Sequence, residues 1–520
     1  MSFLRHHNQK LVIVLLLGLF SILAMYPLLK DGFPVTDDGN WLIIRFTAFF
    51  ETLRSGQLPV RYIYRLNDGM GYPVSNFAYP LYLYLATPIY ILGFDFVNSI
   101  KVLLIFNAFL SIVFTFLWLR ERFDSLSSLV GSVALILSPY YLFDLYKRGS
   151  VGELLTFSIV PFILWQIERK NFVLISIGIA LLILAHNSLA VLFLLLIISY
   201  AIIIKLDIRL LISGVFLGLG LSSFFWIPAI YDLSATVFMN TTVSNFYDYF
   251  LISKNYYLIG LSSIVIIIAS LITGAFDTKL FRDKLFNFFL VLSLIIIFLN
   301  LPQSKIFWEL FPFKDFIQFP FRLFSVLTVS LVYLAAFASK NLKINKLIFP
   351  AIIIVIFIIQ AILFLRTVEI QKHEEGFYST NQSTTTISDE YLNKWFIKPQ
   401  LDEKIVIIAG QGKVKPVLNS PGKLAFLTDF ENNGVVQINY AYFPDWKAEI
   451  NDQEAAIDYM KNGLISLEIP EGKSLVNVYY EQSKIHKISN LISLISLIVL
   501  LYFIIKVLKV ERTMHTLKEK

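Results

Sequence analysis

Long apolar runs constrain this chain more than any other feature. About 12–13 of them follow one another along the 520 residues, and many approach the roughly 20 residues that a helix needs to cross about 30 Å of hydrocarbon. With 57% hydrophobic and only 16% charged residues, the chain carries more apolar side chain than a soluble core of this size encloses. The sequence therefore predicts a polytopic α-helical membrane protein. The runs lie at residues 11–29, 79–93, 97–119, 126–143, 154–167, 172–185, 189–204, 210–226, 256–271, 285–298, 323–338, 347–364 and 488–505.

Basic clusters between the runs predict their orientation. Under the positive-inside rule they mark cytoplasmic loops near residues 5–10, 120–122, 169–170, 205–209, 279–284 and 340–346. We therefore expect a multi-pass plasma-membrane protein with both termini cytoplasmic. Run 11–29 is long and lacks a small-x-small cleavage site, which favours a retained anchor over a signal peptide. Run 79–93 breaks the alternation, and Pro80 and Pro88 indicate a segment that lies along or dips into the membrane.

Charge and cysteine content exclude several function classes. The net charge of +7 comes from the flanks of the spans, so it does not indicate a nucleic-acid partner. The chain has no cysteine, which excludes disulfides, thiolate metal sites and thiol nucleophiles.

Composition divides the chain into three parts. Residues 1–365 form the predicted multi-span domain, which includes a polar first outer loop at 30–78. Residues 366–487 alternate polar and apolar side chains, most clearly at 435–443, 464–469 and 475–481, which predicts a small extracytoplasmic β domain. Residues 488–520 are the last span and a basic cytoplasmic tail. The AGQGK stretch at 409–413 lacks the spacing of a phosphate loop and favours a hairpin turn.

Two adjacent carboxylates, Asp37 and Asp38, follow the first span. Carboxylates at a membrane boundary are costly to desolvate, which favours a functional role. One alternative is helix capping, because Asp is a favoured N-cap and residues 41–52 look helical. The other is that one carboxylate is a general base that takes the proton of an acceptor hydroxyl. These residues alone leave both alternatives open.

Several basic and polar side chains in later loops are candidates for substrate binding. Arg148 has two interpretations, a snorkelling side chain at a helix end or a phosphate clamp with paired donors. Glu153 is a candidate to pair with Arg148 or to hold a hydroxyl. Arg322, which follows Gln318, has the same two interpretations as Arg148. Together with Arg54, Arg61 and Arg65, Arg45 makes the first loop unusually basic for an outer loop, which favours an anionic ligand.

His186 and Asn187 lie between two apolar runs. A histidine at such a boundary is usually a hydrogen-bonded interfacial residue, and the alternative is that it orients an acceptor or a leaving phosphate. No spacing of histidines and carboxylates resembles a zinc site, so we predict no metal site and no cofactor. The two adjacent aspartates leave room for a divalent ion, which the sequence does not predict.

An ordered set of motifs resembles one membrane family. Asp37, Asp38, Trp41 and Arg45 are followed in order by SGQLPVRY, NDGMGYP, FAYPLYLYL, SPYYLFDLYKRGSVGE, LAHNSLAVLF, FIQFPFRL and YFPDWKAEIND. Together they resemble the YfhO-like membrane proteins, including those catalogued as "6-pyruvoyl-tetrahydropterin synthase-related", and nothing in the residues indicates pterin chemistry. That family is similar to the GT-C glycosyltransferases.

The resemblance implies a GT-C-like enzyme that moves a sugar from a polyprenyl-phosphate donor to a cell-envelope glycan or lipid on the extracytoplasmic face. It implies a base in the first loop, Asp37 or Asp38, and phosphate contacts from later loops, first of all Arg148. Two other functions stay open. A flippase of lipid-linked sugars predicts polar residues deep within the spans, and a non-catalytic glycan-binding protein predicts that residues 366–486 carry all the binding.

Overall fold

The computed structural model describes residues 2–240, 246–252, 255–310, 314–342, 347–399 and 403–518. Most of the chain is helical. The α-helices are, in order, α1 (Ser2–Met25), α2 (Gly39–Arg54), α3 (Val74–Phe77), α4 (Leu81–Ile91), α5 (Phe96–Arg120), α6 (Ser125–Ile136), α7 (Pro139–Phe143), α8 (Val151–Glu168), α9 (Phe172–Ala185), α10 (Asn187–Ile203), α11 (Ile208–Leu221), α12 (Ser223–Leu233), α13 (Gly260–Phe276), α14 (Lys284–Leu299), α15 (Lys305–Leu310), α16 (Lys314–Ile317), α17 (Phe324–Asn341), α18 (Ile348–Leu365), α19 (Glu375–Ser379) and α20 (Lys484–Lys518).

The helices confirm the predicted membrane class. Within the described ranges, seven helical segments are long and apolar enough to cross a membrane, and two further pairs qualify if each bent pair is one span. Four shorter apolar helices complete the set, and each predicted apolar run overlaps one of these elements. The protein is therefore a polytopic α-helical membrane protein. Helix α4 has 11 residues and a length of only about 16 Å, about half of the hydrocarbon thickness.

One predicted run is broken in the structure. Residues 210–226 form α11 and α12, which meet at Ser222 at an angle of 68°. The Ser222 hydroxyl donates to the carbonyl of Gly218 at 3.0 Å, and the Ser223 hydroxyl donates to Ser489 at 2.9 Å. The Ser223 hydroxyl also donates to the carbonyl of Gly220 at 2.8 Å, so two carbonyls in the last turn of α11 have side-chain partners at the bend.

Helix α17 lies at the centre of the helical domain. Every residue from Phe324 to Ser339 is buried. Helices α6, α13 and α14 pack against it, while α5 and α8 pack against each other beside α6. Because α17 is surrounded by other helices, it has no charged face from Phe324 to Ser339, as is typical of a buried helix.

Residues 366–487 contain the β-sheets that the alternation predicts. The strands are β1 (Phe33–Pro34), β2 (Ile370–Gln371), β3 (Ile405–Ala409), β4 (Gly412–Ser420), β5 (Lys423–Phe430), β6 (Gly434–Ala441), β7 (Trp446–Ile450), β8 (Gln453–Ala455), β9 (Leu464–Ile469) and β10 (Gly472–Tyr480). Strands β4-β5-β10-β7-β8 form one antiparallel sheet and β3-β6-β9 another, with buried side chains such as Phe426, Ile438 and Val476 in a shared core.

The hairpin predicted at 409–413 is wrong. This stretch joins β3 to β4, which belong to different sheets, so it is a tight connection between sheets. Gly410 supplies the left-handed conformation of the connection, with φ of +92°.

The first loop is built into the β domain. Strand β1 pairs with β2, and the Tyr62 hydroxyl donates to the carbonyl of Ala441 at 2.7 Å. Tyr62 and Phe77 are part of the buried apolar cluster of the β domain. The loop is therefore a layer shared by the helices and the sheets, and its position is fixed from both sides.

A buried ion cluster joins the last helix to the rest of the protein. His486 of α20 lies with Nε2 2.7 Å from Asp232 Oδ2 of α12 and with Nδ1 2.7 Å from Asp445 Oδ2, which directly precedes β7. Asn76 of the first loop donates to Asp232 at 2.9 Å. Four parts of the chain thus meet at one histidine.

Candidate active site

A tight turn holds the two aspartates against Arg148. Residues Asp144–Arg148 form a π-helical turn that ends at Gly149, whose φ is +73°. The backbone N–H of Asp37 donates to the carbonyl of Lys147, and that of Asp38 donates to the carbonyl of Arg148, both at 2.9 Å. A Cβ on Gly149 would lie 2.3 Å from Thr36 Oγ1, so glycine lets the loop approach this closely.

The two aspartates differ in their surroundings. Asp38 occupies the N-cap position of α2, but its side chain makes no capping hydrogen bond, so the capping interpretation does not hold for this carboxylate. Asp38 interacts electrostatically with Tyr79 and Arg45. Asp37 is more exposed and interacts with Lys147, which opposes the rise that partial burial causes in the pKa of the Asp37 carboxyl. Asp38 is therefore the carboxylate associated with the buried groups.

Arg148 and Glu153 form the buried centre of the cluster. Arg148 Nη1 lies 2.5 Å from Glu153 Oε2 and 2.8 Å from Asp144 Oδ1. Glu153 is fully buried and accepts hydrogen bonds from the hydroxyls of Tyr140, at 2.6 Å, and of Ser325. The predicted Arg148–Glu153 pair is thus present. Within the described residues, Nη1 makes every hydrogen bond that this guanidinium donates to protein, which leaves Nε and Nη2 for a ligand.

Arg322 lies beside this pair and has mostly neutral partners. Its Nη1 donates to the carbonyl of Ile317 and to Gln318 Oε1, both at 2.9 Å. Among the described residues its nearest carboxylate is Glu153, 3.9 Å from Nε, and Nε is buried with no hydrogen-bond partner there. Because Glu153 already pairs with Arg148, the charge of Arg322 is the less compensated of the two. Gln318 holds Arg322 in place.

His186 completes the cluster on the side of the first loop. Its ring stacks on Tyr79 with centroids 4.9 Å apart at 15°, and its Nδ1 accepts from the N–H of Leu189 at 3.4 Å. That contact places the ring proton on Nε2. A Cβ on Gly152 would lie 2.5 Å from the Tyr79 ring, so this glycine allows the approach. Tyr79 interacts electrostatically with Arg148 and Arg322 as well as with Asp38.

Two of the predicted binding residues hold structure together. The Asn187 amide donates to the carbonyl of Phe77 at 2.8 Å and fixes the loop that carries Tyr79. Arg45 donates from Nε to Thr385 Oγ1 at 3.1 Å and from Nη2 to the Thr385 carbonyl at 2.6 Å. These bonds tie α2 to the segment after β2, so both side chains position the site.

The structure adds residues that the sequence interpretation missed. Asp144, Tyr140, Ser325 and Tyr79 all contact or face the cluster. The sequence does carry a signal for Asp144, because it lies four residues before Arg148 and acidic residues near membrane spans are costly. Ser325 and Tyr79 carry no such signal in the sequence.

The cluster offers a definite set of chemical groups. The groups are the guanidiniums of Arg148 and Arg322, the imidazole N–H of His186, and the Asp38 carboxylate, which makes no capping hydrogen bond. They lie beside the ends of several spans, an arrangement that suits an anionic ligand next to a proton acceptor. Within the part of the chain that the structure describes, no group of three or more His, Asp or Glu side chains is arranged to hold a metal ion.

Comparisons with known proteins give little further identification. No protein-family model matches the chain, and no curated protein matches it. Twelve chains of solved structures match, among them the arabinofuranosyltransferase AftD from Mycobacteria, at 17% sequence identity and a TM-score of 0.43. That match covers 69% of this chain and 27% of the other, so the chain spans about a quarter of the length of the protein it matches.

Proposed function

We propose that this protein is an integral-membrane glycosyltransferase that takes a sugar from a polyprenyl-phosphate carrier. The observation that carries the proposal is that Asp38, from the first loop, is hydrogen-bonded through its backbone to Arg148, while Tyr79 interacts electrostatically with Asp38, Arg148 and Arg322. A lipid-linked phosphate sugar has its reacting bond at the depth of the span ends, because its lipid stays in the bilayer while its phosphate lies at the boundary.

The guanidiniums bind the phosphate in this proposal. Arg322 is the first candidate, because neutral oxygens hold it and its charge is only partly compensated. Arg148 contributes its remaining donors, and Glu153 sets its orientation. This order reverses the expectation that Arg148 leads. Planar guanidiniums suit phosphate because they present paired N–H donors to two oxygens.

Asp38 is the general base. It takes the proton of an acceptor hydroxyl while that oxygen attacks the anomeric carbon, and the bond from that carbon to the phosphate oxygen breaks. The proton ends on Asp38, and the electron pair leaves with the polyprenyl phosphate, which is already an anion and needs no protonation. Attack opposite to the leaving group inverts the anomeric centre.

The membrane orientation belongs to the same proposal. The basic loops support cytoplasmic termini, and in that orientation the cluster and the β domain lie on the extracytoplasmic face of the plasma membrane. There the acceptor is a cell-envelope glycan or lipid.

The proposal is tested with the purified full-length protein in nanodiscs that contain polyprenyl-phosphate hexose or pentose labelled in the sugar. Neutral methyl glycosides are added as acceptors, and transfer of the label from the lipid to the glycoside, with release of polyprenyl phosphate, is measured for the wild type, Asp38→Asn and Asp37→Asn. We expect release by the wild type and a loss in Asp38→Asn. Full activity in both variants overturns the mechanism, and movement of the donor between leaflets without release favours a flippase.

A further inference from the structure

A cavity lies between the β domain and the helical domain, away from the charged cluster. It has a volume of about 170 Å³. Because one water needs only about 10–15 Å³, the cavity has room for a ring-sized ligand. The loop after α12, at Thr236, forms one wall, and the segment from Tyr442 to Pro444 forms another.

The lining combines aromatic rings with polar groups and has no charged side chain. Tyr391, Tyr442 and Tyr459 all line it and are half-buried, and in the described ranges their hydroxyls make no hydrogen bond to protein. The rings of Tyr442 and Tyr459 stack 3.8 Å apart at 4°. Asn393 fixes the wall, because its amide donates to the carbonyls of Tyr442 and Gly463 at 3.0 and 2.9 Å.

This lining selects for a particular ligand chemistry. An ionic ligand would lose its hydration without gaining a partner charge. A wholly apolar ligand would displace water from the phenol hydroxyls and leave them buried without hydrogen-bond partners. A neutral sugar ring satisfies both conditions, since its C–H face packs on the face of Tyr442 or Tyr459 that their mutual stacking leaves open, while its hydroxyls exchange hydrogen bonds with the phenols. Tyr391 contributes its edge and hydroxyl, because Phe77 and Phe238 both stack on its ring.

From this chemistry we infer that the cavity binds one neutral sugar unit of a glycan acceptor. The inference rests on the proposed function for its biological meaning, because an acceptor is needed only if a sugar is transferred. The sugar-binding site itself is independent of catalysis.

Tyr391 connects the cavity to the charged cluster. It lines the cavity, stacks on Phe77 with centroids 5.0 Å apart at 10°, and interacts electrostatically with Arg45 and Tyr79. The segment that carries Tyr391 also holds Arg45 through Thr385. A glycan with one unit in the cavity therefore contacts the same segment that holds Arg45 beside the charged cluster.

The test measures sugar binding rather than turnover. Saturation-transfer NMR is recorded on the full-length protein in nanodiscs with neutral methyl glycosides at millimolar concentration, in pyranose and furanose forms. We expect saturation of the ring protons of at least one glycoside. We expect binding about tenfold weaker in Tyr391→Phe and Tyr459→Phe, which lose only a hydroxyl, and no binding in Ala235→Trp, which fills the cavity.

Matched controls separate the outcomes. Tyr479→Phe also loses a phenol hydroxyl, but that hydroxyl donates to Glu449 on the sheet, so we expect unchanged binding. Asp38→Asn is expected to bind like the wild type, which makes the result independent of catalysis. Absence of saturation with every glycoside, or equal weakening in Tyr479→Phe, overturns the sugar site. Saturation in a wild-type protein that shows no donor turnover contradicts the proposed function and leaves the sugar site supported.

Discussion

The N–H of Asp38 donates to the carbonyl of Arg148 at 2.9 Å, so the proposed base and one of the proposed phosphate ligands are joined through the backbone. A backbone bond survives side-chain substitution. Variants of either side chain therefore change the chemistry of the cluster while the geometry of the loop stays in place, which makes them informative about mechanism.

The first prediction concerns the two aspartates. Asp38→Asn is expected to lower kcat by about 10²- to 10⁴-fold, because the amide accepts no proton from the acceptor hydroxyl. Asp37→Asn is expected to retain most of the activity, since Asp37 lies toward Lys147 and solvent. Both variants remove one negative charge from adjacent positions, so each controls for the other. The reverse order of effects would assign the base to Asp37.

The second prediction concerns Gly149. Gly149→Ala forces a Cβ to within 2.3 Å of Thr36 Oγ1 at a positive φ, so we expect a lower melting temperature together with a loss of donor turnover. Gly56→Ala is the matched control, because Gly56 has φ of +97° but nothing within 4 Å of an added Cβ. Gly56→Ala should therefore lose only the cost of a left-handed alanine, about 1–2 kcal/mol in the free energy of unfolding.

A second variant separates strain from contact at Gly149. Thr36→Ala removes the clashing hydroxyl, so the double variant Gly149→Ala/Thr36→Ala should recover part of the activity. Turnover and thermal unfolding are measured for the wild type, Gly56→Ala, Gly149→Ala, Thr36→Ala and the double variant. Equal effects of Gly149→Ala and Gly56→Ala would contradict the importance of the close approach.

The sequence predicts much of this architecture but little of how its parts meet. Apolar runs locate the helices because membrane spans need length and hydrophobicity, and alternation locates β9 at 464–469 for a similar reason. The break at Ser222 and the pairing of β1 with β2 depend on contacts between distant residues, which no local pattern encodes. The site shows the same division.

Single residues with costly charges are visible in the sequence, and their partners are not. Arg148 and Glu153 stand out because charges near spans need a reason. The stacking of His186 on Tyr79 depends on the small size of Gly152. Gly152 is distant from both residues in the sequence and adjacent to Tyr79 only in space. Arg45 looked like a ligand for anions because the sequence does not show Thr385 beside it.

The third prediction compares the two arginines. Arg148→Met leaves Asp144 and Glu153 buried without their cation, so we expect destabilisation of about 3–5 kcal/mol. Arg322→Met is expected to cost less stability, because most of its partners are neutral oxygens. Both variants should raise KM for the donor. Thermal unfolding and donor titration are measured side by side, and a larger stability loss in Arg322→Met would contradict the assigned roles.

The fourth prediction concerns pH and Lys404. Burial lowers the pKa of Lys404 to about 7, although its Nζ lies 3.3 Å from the centroid of the Tyr440 ring and donates to the Gly69 carbonyl at 2.7 Å. Between pH 7 and the ordinary lysine value near 10.5, the unfolded chain holds a proton that the folded chain lacks. Stability therefore rises with pH in this window, by at most about 1.4 kcal/mol per pH unit.

Thermal unfolding at several pH values checks this slope. Lys404→Met lacks the buried ammonium, so its stability relative to the wild type should be greatest near pH 7 and should decline as pH rises toward 10. Lys415→Met removes an exposed lysine of β4 and should show no such trend. A constant difference between Lys404→Met and the wild type across this range would contradict the assigned titration.

The last prediction concerns the ion cluster at His486. Both ring nitrogens lie 2.7 Å from a carboxylate oxygen, and His486, Asp232 and Asp445 are all at most 2% exposed. A ring between two carboxylates carries both protons, because a bare nitrogen would face an oxygen lone pair. His486→Leu removes this cation and leaves two buried carboxylates, so we expect a loss of about 3–5 kcal/mol in the free energy of unfolding.

The triple variant His486→Leu/Asp232→Asn/Asp445→Asn removes the uncompensated charges and should recover most of that loss. Thermal unfolding in detergent compares the three proteins, and a triple variant less stable than His486→Leu would show that the packing of the histidine, rather than its charge, holds the last helix to the β domain.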